Sequence, residues 1–160
     1  MASNLPGRTE LIDGVVYEVS PQNPAHANAI DVLNKTLSRA LDLDIYSVRT
    51  ETPIAVAGWR GPHAPEIDVV VIHAREWYEN TPEAADTLVA IEVSDTTYRD
   101  DRDVKIPLYQ SAGIEAWILN IPKRQVESFD NTPRIYHDGE TFEIHGVSIP
   151  VSKLFRPLIL

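Results

Sequence analysis

The chain has 160 residues, of which 43% are hydrophobic, and this length and composition are typical of one folded domain with a buried core. The absence of cysteine excludes disulfide bonds and thiolate metal sites, and no apolar run approaches the ~20 residues of a membrane span, so we expect no membrane partner. A net charge of -10, from 14 basic and 24 acidic residues, excludes a broadly basic nucleic-acid-binding surface, and part of the acidic excess also fits a merely solvated surface.

The first predicted element is a β-hairpin. Residues 1–8 are a lead-in without the charged and apolar segments of a signal peptide, so we expect a cytoplasmic protein. Residues 10–12 and 15–19 flank the turn residues Asp13 and Gly14. This pattern is typical of two antiparallel strands joined by a tight turn.

A helix is expected next, after a break at residues 20–24. Asn23 is suited to cap its N-terminus, with Pro24 at the first helical position. Apolar residues then recur at helical spacing and predict a helix over about residues 26–41 with one face packed inward. These apolar residues are Ile30, Leu33, Leu37 and Leu41.

The middle of the chain is rich in predicted strands. Residues 45–49 and 52–57 are predicted as two strands, and residues 58–63 as an exposed loop. Residues 65–72 and 88–93 contain continuous apolar runs, which are typical of strands buried on both faces. We therefore place the last two strands at the centre of a sheet.

Residues 94–99 are predicted to be a polar and mobile segment. A second helix is predicted after this segment, and it ends before Gly113. Asp101 or Asp103 is suited to cap its start, and Pro107 lies within it. A late start places this proline near the first turn, where it costs little, whereas an early start makes it kink the helix.

The rest of the chain is predicted to be β-rich. Residues 116–119 form a further apolar strand, and residues 125–129, 134–137 and 141–144 form strands around a turn at 138–139. The order of strands, helix, strands, helix and strands predicts a single α/β domain, in which a mixed central sheet is flanked by helices and accompanied by extra hairpins.

Two acidic residues adjoin the central strands. Asp68 begins one strand and Glu92 ends the other, so antiparallel neighbours would bring both carboxylates to the same end of the sheet. An ionised carboxylate is costly to bury unless a cation meets it. Mg²⁺ takes one or two carboxylates with waters and substrate phosphate, and the Val93 carbonyl is suited to add a ligand. The pattern therefore predicts a site for Mg²⁺ or Mn²⁺.

Basic residues in the following segment complete the predicted site. Lys105 supplies a compact positive charge for the attacking water or the transition state. Arg99 and Arg102 are the candidates for phosphate contacts, through which this acidic chain would bind DNA on a local patch. The competing structural interpretation is that Glu92 and Lys105 form a buried ion pair and that Asp68 caps a turn.

Three further polar residues are candidates for supporting roles. His26 approaches the site from the first predicted helix, although a histidine there is more often structural. Ser94 shares the strand face of Glu92 and is assigned a hydrogen-bonding role, because no nucleophile elbow surrounds it. Asp101 precedes Lys105 by one helical turn.

Several motifs in fixed order resemble one family. The motifs are Glu10-Leu-Ile-Asp-Gly14, His26, Pro65-Glu-Ile-Asp68, Ile91-Glu-Val-Ser-Asp95, Asp101-Arg-Asp-Val-Lys105, Leu108-Tyr109 and Ala112-Gly-Ile-Glu-Ala-Trp117. Over residues 8–155 the chain resembles the Uma-type family of putative restriction endonucleases, within the PD-(D/E)XK nuclease superfamily. The resemblance implies a restriction-endonuclease-like core and magnesium-dependent cleavage of DNA phosphodiesters.

The resemblance also implies roles for individual residues. Asp68 matches the first acidic residue of the superfamily pattern and Glu92 the second. The superfamily lysine stands two residues after the second acid, where this chain has Ser94. Lys105 resembles a lysine relocated to the following helix, as is typical of this family, and Asp101 would orient it or support the site from outside.

Three functions remain open from the sequence. The first is a metal-dependent DNA endonuclease, expected to be a homodimer because symmetric dimers are common among nucleases that cut both strands. The second is a catalytically inactive nuclease-fold binding or regulatory module, which the acidic balance and the displaced lysine favour. The third is a hydrolase of another phosphoester, such as RNA or a nucleotide.

Overall fold

The structure, a computed structural model, describes residues 8–19, 22–58, 61–75 and 79–155. In chain order the elements are β1 (Thr9–Ile12), β2 (Val15–Glu18), α1 (Pro24–Ala40), β3 (Tyr46–Pro53), β4 (Val56–Gly58), β5 (Gly61–His63), β6 (Glu66–His73), a 3-10 turn (Ala84–Asp86), β7 (Thr87–Ser94), α2 (Tyr98–Asp100), a π turn (Asp101–Lys105), α3 (Ile106–Ser111), β8 (Glu115–Asn120), β9 (Gln125–Ser128), β10 (Arg134–Tyr136), β11 (Thr141–Ile144), β12 (Val147–Pro150) and α4 (Val151–Leu154). Within the described residues, no helix is long and apolar enough to cross a membrane.

A six-stranded sheet with the strand order β10-β9-β8-β7-β6-β3 organises the fold. Neighbouring strands are antiparallel except for β7 and β8, which are parallel and are joined by the helical segment that contains α2 and α3. The pairs β1–β2, β4–β5 and β11–β12 form separate hairpins. The predicted α/β class, with a mixed central sheet, flanking helices and extra hairpins, is confirmed.

Both faces of the central strands are buried. On one face, Leu33 and Leu37 of α1 belong to a core with Val69, Val71, Val89 and Ile91. On the other face, Ile106 and Tyr109 belong to a core with Val70, Ala90 and Ile118. Because alternate residues of a strand point to opposite faces, the continuous apolar runs of β6 and β7 supply both cores.

Helix α1 begins as its sequence predicts. The Asn23 side chain accepts a hydrogen bond of 2.9 Å from the His26 backbone N–H, and Pro24 is the first helical residue. The cap satisfies one of the N–H groups that a helix start leaves without an intrahelical partner.

Two predictions in the middle of the chain are wrong. The strands predicted at residues 45–49 and 52–57 are divided differently. Strand β3 continues to residue 53, because it pairs with β6 on both sides of Glu51, whose φ is 48°, and residues 56 and 57 belong to β4. The predicted loop at 58–63 contains strand β5 and the end of β4, which pair through Val56 and His63. Residues 59 and 60 of that loop, like residues 1–7 of the lead-in and 20–21 of the predicted break, lie outside the described residues.

The second helix starts earlier than its acidic candidates suggest. It runs from Tyr98, so Asp101 and Asp103 lie inside it and do not cap its start. The Ile106 N–H donates to the Asp101 carbonyl, which closes a π turn directly before Pro107. This wider turn accommodates the proline, whose ring disfavours a regular α-helical approach. The sequence analysis also missed β12 and α4 at the end of the described chain.

Candidate active site

Asp68 and Glu92 lie at the same end of neighbouring antiparallel strands. Val69 of β6 pairs with Ile91 of β7, so each acid is the next residue beyond that pair. The Val93 N–H donates a hydrogen bond of 2.7 Å to Asp68 Oδ2 and links the two strand ends. Glu92 is 2% exposed and Asp68 is 16% exposed, so both carboxylates are held away from bulk water.

Lys105 places its ammonium among three carboxylates. Its Nζ lies 3.0 Å from Glu10 Oε2, 3.6 Å from Glu92 Oε1 and 3.8 Å from Asp101 Oδ1. Burial lowers the pKa of Lys105, but the attraction of Glu92, Asp101 and Glu10 outweighs it and raises that pKa above its ordinary value. Lys105 is therefore a fixed positive charge and not a general base near neutral pH.

Glu92 is a buried acid with a close hydroxyl donor. The Tyr109 hydroxyl donates a hydrogen bond to Glu92 Oε1. Burial raises the pKa of Glu92, Lys105 lowers it, and Asp68 and Asp101 raise it, with a net shift well above the ordinary value. The anionic form of Glu92 therefore depends on neighbouring positive charge.

Asp101 is fixed by two hydroxyl groups. Ser94 Oγ donates to Asp101 Oδ2 at 2.6 Å, and Thr97 Oγ1 donates to the same oxygen at 2.7 Å. Burial raises the pKa of Asp101, and the balance with Lys105 and the two hydroxyls leaves that pKa above its ordinary value. Ser94 thus acts through Asp101, whose second oxygen faces Lys105.

His26 reaches the same place from the first turns of α1. Its Nε2 lies 3.4 Å from Asp68 Oδ2, whereas its buried Nδ1 has no hydrogen-bond partner among the residues that the structure describes. Burial lowers the pKa of His26, but interactions with Asp68, the Val93 backbone and Asp101 outweigh it, so that the pKa is raised. The imidazole therefore keeps its proton and its positive charge beside Asp68 to a higher pH than a free histidine would.

The two arginines that the sequence predicted as phosphate contacts do not face the candidate site. Arg99 and Arg102 are exposed, and neither side chain lines the cavity above the acids. The arginine that does line it is Arg8, whose Nη1 lies 2.7 Å from Glu51 Oε2 and whose Nε lies 3.2 Å from Glu66 Oε1. The π turn and the early helix start determine which helix positions face the site. Pro107 indicated a disturbance of the helix, but the sequence predicted neither the start at Tyr98 nor the π turn.

Glu10 and Tyr109 are site residues that the sequence analysis did not single out. Glu10 lies on β1, where its Oε2 also accepts a hydrogen bond of 3.2 Å from the Glu66 N–H. Tyr109 follows Lys105 by four residues, a spacing that places both on one helical face. Both residues lie within the motifs that resemble the Uma-type family, and this was the signal that could have identified them. We call Glu10, Asp68, Glu92 and Asp101 the acid cluster.

A cavity of about 360 Å³ opens above the acid cluster. The β1–β2 hairpin lines one side, the segment from Asp95 to Lys105 lines another, and α1 contributes His26. Within the described part of the chain, no group of three or more His, Asp or Glu side chains is arranged to hold a metal ion. The pair Asp68 and Glu92 still supplies the one or two carboxylates that Mg²⁺ usually takes from a protein.

Comparison with known proteins gives a matching family and similar solved structures. The model of the Uma2 family, described as "Putative restriction endonuclease", matches residues 1–155. Among curated proteins, none matches. A crystal structure titled as a putative nuclease belonging to DUF820 from Anabaena variabilis is similar, with a TM-score of 0.68 and 15% sequence identity, over 94% of this chain and 93% of that one. At this identity the structural likeness shows a shared fold.

Proposed function

Since this chain belongs to the Uma2 family of putative restriction endonucleases, we propose that it is a metal-dependent endonuclease that hydrolyses DNA phosphodiester bonds. The observation that supports this proposal best is the convergence of Asp68, Glu92 and Lys105 from three separate elements. Two carboxylates and one fixed cation then face a single cavity. Such a set suits a reaction in which negative charge develops on phosphate oxygens.

We assign Asp68 and Glu92 as the residues that hold Mg²⁺ or Mn²⁺, with the Val93 carbonyl as a further ligand. The hydrogen bonds and ion pairs described for Asp68 use Oδ2 and those for Glu92 use Oε1. The other carboxylate oxygens, Oδ1 and Oε2, thus suit a hard cation. When bound, such an ion lowers the pKa of its water and neutralises charge on the phosphate.

Lys105 is the side chain that we assign to supply positive charge to the reacting phosphate. Its raised pKa keeps the ammonium charged throughout the physiological range, where it stabilises charge on a phosphoryl oxygen. Glu10 and Asp101 are positioning residues, because they hold the ammonium from two sides. His26 orients Asp68 through Nε2.

The test is a plasmid-nicking assay with MgCl₂ on the isosteric variants Asp68→Asn and Glu92→Gln. Each removes one carboxylate charge and is expected to reduce nicking about a hundredfold or more. Glu143→Gln is the matched control, because Glu143 is an exposed acid on the separate β11–β12 hairpin. Circular dichroism checks that each variant is folded. Undiminished nicking by both site variants would contradict the assignment.

A second candidate is a catalytically inactive binding or regulatory module. The observation that favours it is the 3.6 Å approach of Lys105 Nζ to Glu92 Oε1, which gives Glu92 an internal cation. Calorimetric titration with MgCl₂ and MnCl₂ separates the candidates. Heat that disappears in Asp68→Asn supports the metal-dependent nuclease, whereas no heat from the unmodified protein favours the inactive module.

The cytoplasmic location and the homodimeric state expected from the sequence stay predictions. Cell fractionation tests the first, and light scattering on the purified protein tests the second.

A further inference from the structure

The cavity has an apolar wall that the proposed hydrolysis does not use. Ile12, Tyr17, Val19 and Val104 contribute to it. Tyr17 is 51% exposed and Val104 is 43% exposed, so both present apolar surface to solvent beside a strongly polar site. Exposed apolar surface in such a position is typical of a binding site.

The pairing of the hairpin shows which way Tyr17 faces. Tyr17 of β2 lies directly opposite Glu10 of β1, and Val16 lies opposite Leu11. Directly opposed residues of antiparallel strands share a face, and the next pair along occupies the other face. Glu10 reaches Lys105 at the site, so Tyr17 presents its ring to the cavity and Val16 faces away from it.

The charges around the cavity disfavour a duplex as its occupant. The acid cluster lines it together with four further acids, Glu18, Glu66, Asp95 and Asp100. Of the described residues that line it, the lysines and arginines are Arg8 and Lys105, and carboxylates already pair with both. Duplex binding depends on many phosphate contacts, which these walls do not supply.

We propose that the cavity takes one unpaired nucleotide of a DNA strand, with its base stacked on Tyr17 and packed against Val104. This proposal rests on the proposed nuclease function and names the substrate class of the same site. A volume of about 360 Å³ lies at the lower end of the range for small-ligand pockets and suits a single nucleotide. Aromatic stacking suits an unpaired base because every base has a π face, and the stacking contact itself involves no phosphate.

The test compares binding of a fluorescently labelled single-stranded oligonucleotide with binding of its duplex, by anisotropy, with CaCl₂ in place of MgCl₂. We expect the unmodified protein to bind the single strand more tightly. Tyr17→Ala is expected to weaken that binding about 5- to 150-fold, and Tyr17→Phe to retain it, because the stacking surface remains. Val16→Ala is the matched control on the opposite hairpin face and is expected to bind as the unmodified protein does.

Three results would overturn the inference. They are equal or tighter binding of the duplex, unchanged single-strand binding by Tyr17→Ala, and no binding of either oligonucleotide by the unmodified protein.

Cleavage of the same oligonucleotides with MgCl₂ separates this inference from the nuclease proposal. Tyr17-dependent binding without cleavage leaves the inference standing and counts against the nuclease. Equal cleavage of single strand and duplex, unaffected by Tyr17→Ala, supports the nuclease and overturns the inference.

Discussion

Replacing Lys105 by methionine tests the electrostatics on which the site depends. The substitution keeps an unbranched side chain but removes the ammonium that lies 3.0, 3.6 and 3.8 Å from three carboxylate oxygens. Coulomb attraction at such distances is about 4–6 kcal/mol per pair at an effective dielectric constant of about 20, before desolvation and carboxylate repulsion are subtracted. Removing one partner of a buried ionic group typically costs about 3–5 kcal/mol of unfolding free energy, and we expect Lys105→Met to fall in that range.

The loss of unfolding free energy in Lys105→Met should be larger at high pH than at low pH. Burial raises the pKa of Glu92 above its ordinary value of 4.5, and Lys105 opposes that rise. A raised folded-state pKa of an acid stabilises the fold below the unfolded pKa, and this contribution is lost as pH rises through the folded pKa. Without Lys105 the pKa of Glu92 rises further, so the variant loses more stability at pH 8 than at pH 5, where protonation relieves the uncompensated charge.

Urea unfolding followed by circular dichroism at the two pH values measures this loss. Lys35→Met is the matched control, because Lys35 pairs with Asp31 at 2.8 Å while both side chains are more than half exposed. The control is expected to lose about 0.5 kcal/mol or less. The reasoning is refuted if Lys105→Met loses no more than the control, or if its loss is the same at pH 5 and pH 8.

Two further predictions concern neighbours of the carboxylates. Tyr109→Phe removes the hydroxyl that donates to Glu92 and should lower the unfolding free energy by about 1–3 kcal/mol in urea titrations; an unchanged midpoint would show that this hydrogen bond contributes nothing net. The pKa of His26, measured by NMR titration, should lie above the ordinary 6.5. It should be lower in Asp68→Asn, because Asp68 is the main group that raises it. The stabilising contribution of His26 is then complete below pH 6.5 and is lost as pH rises through the raised pKa.

The sequence predicted the convergence of Asp68 and Glu92 better than it predicted the surroundings of these two acids. The apolar runs around Asp68 and Glu92 require buried strands, and antiparallel neighbours bring the two carboxylates to one end of the sheet, as the structure has them. Lys105 was predicted to meet the two acids because of its positive charge and its place in the next helix. Glu10 was not predicted as a site residue because its role depends on where the hairpin packs, which the local pattern does not encode.

Local pattern failed where a distant contact decides the conformation. Strand β3 continues through Glu51 at positive φ because β6 supplies hydrogen-bond partners on either side. Pro107 signalled a disturbance in the helix but not the π turn that precedes it. An inserted residue rotates the following positions by about 100°, so the helix face that meets the site cannot be read from regular α-helical spacing.

The acid cluster outnumbers the positive charge that faces it, and this imbalance connects the stability of the site with its proposed chemistry. Four carboxylates share the Lys105 ammonium and the partly buried His26, and burial together with the neighbouring carboxylates raises the pKa values of Glu92 and Asp101. Stability alone does not account for such a cluster, because replacing buried ionic groups by well-packed apolar residues is often neutral or stabilising. Retaining it makes sense if a divalent cation enters the cavity, because only added positive charge lets a phosphate approach a floor that is otherwise negative.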